Sequence, residues 1–270
     1  FRLPHQSGAA SHIIRALLTL IRGNENGAET KMFVAGASGV IGLPLCKMLL
    51  VAGDEVYGTT RSAAKAEMLA AQGIKPVVAD AFDAEGLLKT VGEIRPDVVF
   101  HELTDLPDGL AADQMEAALV RNARIRDEGT RNLVNAAKAA GVSKIIAQSI
   151  AFVYAPDAPQ PVTEDAPLLD FAEPTYGETA RAVHSLEQQI TTDPAFIGVV
   201  LRYGWLYGAG TGFDAPVYFT PPVHAEAAAH AAVLALQCTQ SAIYNAADDD
   251  ARLSSEKAKR ELGFDAGFRL

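Results

Sequence analysis

Cysteine, tryptophan and long apolar runs are scarce in this sequence. Two of the 270 residues are cysteine and one is tryptophan, which excludes the disulfide framework of small secreted domains. The longest apolar stretch near the start, residues 13–21, is interrupted by Arg15 and falls short of the roughly 20 residues that span a bilayer. We therefore expect a cytoplasmic protein that has no membrane partner.

Positive charge is also in short supply. Lysine and arginine number 23 against 33 aspartates and glutamates, so the formal net charge is −10 at pH 7. Such a chain lacks the field that draws proteins to phosphate backbones, and nucleic acid is not an expected partner. Histidines, cysteines and carboxylates show no metal-ligand spacing, so no metal site is expected. With 49% hydrophobic and 21% charged residues, the composition is that of an ordinary globular domain.

Strands and helices alternate from Lys31 onward. The apolar run Met32–Ala35 ends in a glycine turn and leads into an apolar helical stretch. This pattern recurs through a strand at Pro76–Ala79 and a long helical region from about Ala111 to Ala140, as far as a strand at Lys144–Gln148. Such alternation requires crossover connections and gives a parallel sheet covered on both faces. The sequence therefore predicts an α/β fold: a doubly wound parallel Rossmann sheet with a small C-terminal substrate lobe. The predicted divisions are an N-terminal extension over 1–30, a dinucleotide-binding core over 31–200, and mixed segments over 201–270 that complete the core and form the lobe.

The glycine turn after the first strand predicts a phosphate site. Glycines at this spacing allow a tight turn, a close approach of the backbone to a pyrophosphate, and close packing of helix on strand. Free N–H groups at the start of the next helix, together with the positive end of its dipole, stabilise the anion. We interpret the turn as a dinucleotide-binding site. Its residues are Gly36, Ser38, Gly39, Val40, Ile41 and Gly42.

The end of the second strand indicates which dinucleotide is bound. NAD sites place a carboxylate there for the ribose 2′-hydroxyl, whereas NADP sites favour a cation. The strand Glu55–Thr60 ends in Arg61, whose planar fork suits a 2′-phosphate, and Ser62 offers a hydroxyl while capping the next helix. We predict NADP as the cofactor, with NAD as the alternative.

Several segments, in order, resemble the extended short-chain dehydrogenases, the superfamily of NAD(P)-dependent epimerases and dehydratases. Gly36–Gly42 resembles the GxxGxxG fingerprint, Gly129–Ala137 the GTxNLxxAA helix, and Leu201–Gly208 the LRxxNxYG strand and turn, with Trp205 where relatives carry asparagine. The resemblance implies oxidoreductase or epimerase-like activity on a small carbonyl compound or a sugar-type substrate. It also implies cofactor contacts near the ends of three further strands, at Asp80, Ala81, Leu103, Thr104 and Gln148.

The catalytic positions depart from the family pattern. Relatives use a tyrosine, a lysine four residues later, and a serine or threonine that follows the fifth strand. Counting back from Tyr154 places Ile150 at the hydroxyl position, and Ser149, one residue early, points to the opposite face. Tyr176 has Ala180 where the lysine is needed.

An alternative alignment does not restore the pair. Anchored on Ser185–Glu187, it puts Thr179 at the tyrosine position and Val183 at the lysine position. We therefore predict that the usual Ser-Tyr-Lys triad is not intact. The candidate catalytic residues that remain are Tyr176 and Ser149.

Two functions stay open. The favoured one is an atypical oxidoreductase or epimerase that keeps the cofactor and recruits other proton donors, such as Tyr176, Tyr203 or Tyr207. The alternative is a non-catalytic NADP sensor, similar to the nitrogen-metabolite-repression regulators of the same superfamily. We expect a small-molecule substrate and a homodimer. The junctions at 213–222 and 248–253 are shorter than the resemblance implies, which indicates either a reduced substrate lobe or omitted loops.

Overall fold

A seven-stranded parallel sheet forms the centre of the computed structural model, which describes residues 30–107 and 110–270. Its strands are β1 (Lys31–Ala35), β2 (Glu55–Thr60), β3 (Lys75–Val78), β4 (Val98–His101), β5 (Lys144–Ile150), β6 (Ile197–Tyr203) and, after a two-stranded pair, β9 (Ala242–Ala246). They are ordered β3-β2-β1-β4-β5-β6-β9, and every neighbouring pair runs parallel. The two-stranded pair is β7 (Trp205–Tyr207) with β8 (Pro222–His224), also parallel.

Helices cover both faces of the sheet. They are α1 (Gly42–Val51), α2 (Ala63–Ala71), α3 (Ala84–Ile94), α4 (Met115–Arg124), α5 (Thr130–Ala140), α6 (Gly177–Thr191), α7 (Ala225–Leu234) and α8 (Glu256–Leu262). One apolar core lies between the sheet and α1, α2, α7 and α8, and a second lies between the sheet and α3, α5 and α6. The predicted doubly wound Rossmann architecture is therefore confirmed.

The order of the strands positions the candidate site. The chain runs outward from β1 through β2 to β3, then returns to β4 on the other side of β1. In open α/β sheets, ligands bind beyond the carboxyl ends of the strands at such a reversal. The glycine turn directly follows β1 at this point.

A short π-helical segment interrupts the long helix that the sequence predicts between β4 and β5. It spans Ile125–Gly129 and joins α4 to α5 without a break. Its Asp127 accepts hydrogen bonds from Ser185 Oγ (2.6 Å) and, through its backbone oxygen, from Gln189 Nε2 (3.2 Å), both on α6. The segment therefore ties this helix to α6.

The segments after β6 provide the edge strand β9 and the pair of β7 with β8. Residues 1–29, which make up nearly all of the predicted N-terminal extension, lie outside the described part of the chain. Among the residues described, no helix combines the length and the apolar character needed to cross a bilayer.

Candidate functional site

Close contacts at Gly36 and Gly42 leave no room for a side chain at either position. Gly36 has φ +89°, and a Cβ placed on it would lie 2.4 Å from the backbone oxygen of Glu102. A Cβ on Gly42 would lie 2.2 Å from the oxygen of Gly36, which also accepts a hydrogen bond from the N–H of Gly39 (3.0 Å). The first glycine therefore makes the tight turn, and the third lets the helix pack against it.

The start of α1 fits a phosphate group. Its N-cap residue, Ile41, makes no side-chain capping bond, and its first turn contains no acidic residue. The positive end of the helix dipole thus lies behind a turn whose backbone can approach an anion closely. Ser38 and Val40 are half-buried in the same turn, and Gly39 is exposed.

Arg61 lies beyond the end of β2, where the sequence predicts the 2′-phosphate contact. Its guanidinium nitrogens lie 3.2 and 3.3 Å from the two carboxylate oxygens of Asp105, and Arg121 Nε lies 3.2 Å from the same carboxylate. Ser62 caps α2 by accepting a hydrogen bond from the N–H of Lys65. Two arginines therefore converge on one carboxylate, a grouping that no sequence pattern indicated.

The loop after β3 is fixed by local and distant bonds. Asp80 Oδ1 accepts a hydrogen bond from the N–H of Phe82 (2.9 Å). The backbone oxygen of Ala81 accepts one from Asn132 Nδ2 on α5 (2.9 Å). The guanidinium of Arg124 lies 3.8 Å from the centre of the Phe82 ring. This loop, expected near the adenine, is thus anchored to the helices on either side of the π segment.

The ends of β4 and β5 lie side by side. Gln148 Nε2 donates a hydrogen bond to the oxygen of Leu103 (3.2 Å), and Thr104 is exposed. His101 Nδ1 accepts from the N–H of Leu103 (3.4 Å), so its Nε2 donates to Thr130 Oγ1 (2.8 Å). Burial lowers the pKa of His101 to about 4. The neutral ring is therefore part of the packing between strand and helix.

Ser149 belongs to a buried polar network. It is 3% exposed and donates a hydrogen bond to Glu187 Oε1 on α6 (2.9 Å). Arg202 on β6 donates to both oxygens of Glu187 (2.7 and 2.6 Å) and to the hydroxyl of Tyr154 (2.7 Å). Burial opposes the charge on Arg202, but the bonds to Glu187 raise its pKa above the ordinary value. The hydroxyl of Ser149 is therefore directed toward α6 and engaged by Glu187.

Glu187 ends the segment on which the second sequence alignment is anchored, and its carboxylate is paired to Arg202. That alignment predicts Thr179 at the tyrosine position and Val183 at the lysine position. Val183 is fully buried in an apolar cluster that also contains Ile150. Tyr176 is 51% exposed at the start of α6, about three helical turns from Glu187. The structure thus does not bring Tyr176 and Ser149 together.

Glu102 and Tyr203 form a feature that the sequence reasoning missed. Both oxygens of Glu102 and the hydroxyl of Tyr203 are buried, and none has a hydrogen-bond partner within the described part of the chain. Burial raises the pKa of Glu102 well above its ordinary value, and burial together with Glu102 raises that of Tyr203. An acidic residue directly after an apolar strand was a signal that could have found this pair.

Aromatic rings gather around Trp205 at the carboxyl ends of β5 and β6. The ring centre of Trp205 lies 5.3 Å from that of Phe152, 5.9 Å from that of Phe213 and 5.1 Å from that of Phe219. We call these four residues the aromatic surface. No sequence motif links them, because Phe152 and Phe219 belong to loops far apart in the chain.

Comparison with known proteins finds a matching family model and related sequences. The model of the NAD dependent epimerase/dehydratase family matches residues 32–242. The 3-diazoavenalumate denitrifying reductase of a Streptomyces species is 45% identical over 184 residues, which cover 68% of this chain and 58% of that protein. The spore coat polysaccharide biosynthesis protein SpsK of Bacillus subtilis is 26% identical over 181 residues, covering 67% of this chain and 55% of that protein. The match thus spans less than two thirds of either relative.

Solved structures share the fold. The Bordetella bronchiseptica enzyme WbmG, determined with NAD, superposes with a TM-score of 0.70 at 18% identity, over 91% of this chain and 92% of that one. UDP-glucose 4-epimerase of Thermotoga maritima, determined with UDP-glucose, gives 0.71 at 18% identity, over 87% and 93% of the two chains. At this identity the likeness concerns the fold alone. Because the family model covers most of its length, this chain belongs to the NAD dependent epimerase/dehydratase family.

Proposed function

We propose that this chain binds NADP and acts as a reductase that needs no proton relay from the family's serine, tyrosine and lysine positions. The observation that carries the proposal is the apolar packing at two of these positions, where Ile150 and Val183 share one cluster. Neither side chain can donate a proton to a carbonyl oxygen. The Streptomyces relative, itself a reductase, supports this class of reaction.

The glycine turn and Arg61 are the groups that would hold the cofactor. The backbone of the turn, at the uncapped start of α1, would bind the pyrophosphate. Arg61 and Arg121 would exchange Asp105 for the 2′-phosphate, which carries nearly two negative charges against one on the carboxylate. When bound, the reduced nicotinamide supplies a hydride. NAD, which has no such phosphate, is the weaker ligand.

The acceptor that suits a site without a proton relay is one that already carries positive charge. An arenediazonium ion is such an acceptor, and the name of the Streptomyces relative places its own substrate in the diazo class. Hydride adds to the terminal nitrogen of Ar–N₂⁺ to give Ar–N=N–H, which loses N₂ to leave Ar–H. The diazonium gains two electrons and one hydrogen, and the overall step consumes no further proton. Small carbonyl compounds and sugar-type substrates, implied by the family resemblance, are the alternative acceptors.

The test is NADPH oxidation by the 270-residue chain, followed at 340 nm. The panel contains 4-carboxybenzenediazonium, benzaldehyde and a keto sugar, each also measured without protein because diazonium ions react slowly with NADPH alone. We expect protein-dependent oxidation with the diazonium only, with benzoic acid and N₂ formed in equal amounts to the NADPH consumed. Oxidation with benzaldehyde or the sugar at a comparable rate would refute the charged-acceptor proposal.

The NADP sensor is the second candidate, and the same apolar cluster favours it. Tight NADPH binding with no protein-dependent oxidation by any member of the panel would replace the reductase proposal with the sensor. Isothermal titration calorimetry with NADPH and NADH provides the binding measurement, and it also tests the preference for NADP.

A further inference from the structure

We infer that the aromatic surface binds an aromatic ring of the substrate. The inference rests on the proposed function, because it places the acceptor of that reductase. It assigns the ring contacts to Phe152, Trp205, Phe213 and Phe219. Of these, Trp205 alone lies within a segment that resembles a family motif, at the position where relatives carry asparagine.

The aromatic surface lies at the mouth of the candidate site. Phe152 stands two residues beyond Ile150, at the carboxyl end of β5, and the N–H of the intervening Ala151 bonds to the oxygen of Tyr203 at the end of β6 (2.8 Å). Trp205 begins β7 directly after that strand end. The loop that follows β7 reaches the glycine turn, since a Cβ placed on Gly210 would lie 3.4 Å from Val40 Cγ1.

Two rings of this surface are open to solvent, and Trp205 and Phe213 are half-buried. Phe152 is 41% exposed and Phe219 is 66% exposed. The planes of Phe213 and Phe219 are inclined to Trp205 at 77° and 72°, an edge-to-face arrangement that leaves flat ring area uncovered. Exposed apolar area clustered beside a polar cofactor site is typical of a ligand-binding pocket. A planar ring would cover this area and add aromatic contacts.

The chemistry of the surface favours an electron-poor ring over a sugar. Its four side chains offer a single polar group, the indole N–H of Trp205, whereas a sugar requires several hydrogen-bond partners. The faces of aromatic rings carry negative potential, so they attract cations and electron-deficient rings. An arenediazonium ion is both cationic and electron-poor. The surface and the reaction thus select the same class of molecule.

The loop that carries Phe219 is held in place from outside the surface. Arg252 donates a hydrogen bond to the backbone oxygen of Tyr218 (3.1 Å) and forms an ion pair with Asp250 (2.7 Å). The ring of Phe219 is thus positioned by its backbone, without being buried by its neighbours.

Trp205 provides the measurement, because it is the only tryptophan of the chain. The probe is benzamidine, a stable, planar, cationic arene, and the matched control ligand is cyclohexanecarboxamidine, which keeps the charge and lacks the aromatic ring. Both are titrated into the chain saturated with NADP⁺ while the emission of Trp205 is followed. We expect a saturable change with benzamidine and at least tenfold weaker binding of the cyclohexyl compound. Equal affinities would overturn the inference.

Variants locate the binding site. Phe219→Ala and Phe152→Leu should each weaken benzamidine binding at least fivefold. The matched control is Phe171→Leu, which alters an aromatic residue of similar exposure (37%) that contacts His184 on α6, and it should leave the affinity unchanged. Circular dichroism verifies that all three variants fold. Unchanged affinity in both surface variants would also overturn the inference.

The two proposals fail separately. If the diazonium oxidises NADPH but the emission of Trp205 does not respond to benzamidine, the inference of ring binding is refuted and the reductase proposal stands. If the emission of Trp205 responds to benzamidine and the surface variants lose this response, but no acceptor oxidises NADPH, the inference of ring binding stands and the reductase proposal is refuted.

Discussion

Glu102 places in the core a carboxyl group that has no hydrogen-bond partner among residues 30–107 and 110–270. Its backbone oxygen lies against Gly36 of the glycine turn. A buried acid without partners is far more stable when it is neutral, so the folded protein holds a proton there that the unfolded chain releases. After burial, the charge of Glu102 is the next cause that raises the pKa of the Cys46 thiol and of the Tyr203 hydroxyl. This residue therefore couples stability to pH.

Replacement of Glu102 by glutamine should remove that coupling. The pKa of Glu102 is raised in the folded state from an ordinary value of 4.5, so the unfolding free energy falls as pH rises above about 4.5. Between pH 5 and 8 we expect the melting temperature of the native protein to fall more than that of Glu102→Gln. At pH 8 the variant should be more stable by about 1–3 kcal/mol.

The control for this comparison is Glu93→Gln, which changes an exposed glutamate on α3. Its melting temperature should follow that of the native protein at every pH. If Glu102→Gln shows the same pH dependence as the native protein, then Glu102 is ionised in the folded state and has a partner of opposite charge.

Gly36 and Gly53 have nearly the same backbone conformation in different surroundings. Gly36 has φ +89° and Gly53 has φ +90°, but a Cβ on Gly53 would meet nothing within 4 Å. Gly53→Ala should therefore lower the free energy of unfolding by only about 1–2 kcal/mol, which is the cost of the left-handed conformation for a residue with a Cβ. Gly36→Ala should lower the free energy of unfolding by more than this, because its methyl group would push the turn away from Glu102. The displaced turn should also no longer bind NADPH. Thermal denaturation with and without NADPH measures both effects, and equal losses in the two variants would contradict the steric explanation.

Arg61 should decide between NADP and NAD. A charge-assisted bond contributes about 1.5–3 kcal/mol, so Arg61→Ala should weaken NADPH binding by roughly tenfold or more and leave NADH binding unchanged. Asp105→Asn should strengthen NADPH binding, since it frees both Arg61 and Arg121 from their common partner. Calorimetric titration of each variant with the two cofactors provides the measurement. An equal loss for NADH and NADPH in Arg61→Ala would show that this arginine does not contact the 2′-phosphate.

At the scale of elements, the ion pair between α6 and β6 determines which residues face the site. Glu187 and Arg202 are 3% and 5% exposed, and their bonds fix the rotation of α6 against the sheet. That rotation places Ala180 and Val183 in one apolar cluster with Ile150 of β5 and leaves Tyr176 at the exposed start of the helix. The predicted loss of the tyrosine–lysine pair therefore depends on the placement of the whole helix.

Breaking this ion pair should be costly. Arg202→Met leaves the carboxylate of Glu187 buried without its partner, and such a change destabilises proteins by about 3–5 kcal/mol. The double variant Arg202→Met with Glu187→Leu removes both charges and should recover much of the loss. Urea denaturation of the single and double variants tests this. Additive losses would mean that the two side chains contribute independently.

The alternation of strands and helices was predictable because each element carries its own apolar pattern. The predicted strand Pro76–Ala79 is displaced by one residue from β3, an edge strand with mostly exposed residues that constrain its position weakly. The π segment at Ile125–Gly129 was not predictable, because its residue preferences are those of an ordinary helix. At the site, the glycine turn follows from local sterics. The contact of Arg61 with Asp105 joins residues 44 positions apart, and no local pattern encodes it.

At the scale of the whole molecule, cofactor binding should raise the free energy of unfolding. A ligand that binds only the folded protein adds about 2.7 kcal/mol at a free concentration one hundred times its dissociation constant. NADPH should therefore raise the melting temperature by several degrees, and NADH at the same concentration should raise it less. Differential scanning fluorimetry, with Gly36→Ala as the non-binding control, measures the shift. A larger shift with NADH would reverse the predicted preference.

The π segment has a consequence for how one long helix meets two parts of the site. Each residue of an α-helix turns the chain by 100°, so the wider turn at Ile125–Gly129 resets the phase of α5 relative to α4. Before the reset, Asn122 accepts a hydrogen bond from the N–H of Asp105 (3.0 Å), and after it Asn132 reaches the oxygen of Ala81. Deleting one residue from this segment would rotate α5 relative to α4 and break one of these two hydrogen bonds. The π segment thus allows one continuous helical segment to form hydrogen bonds with both the loop after β3 and the loop after β4.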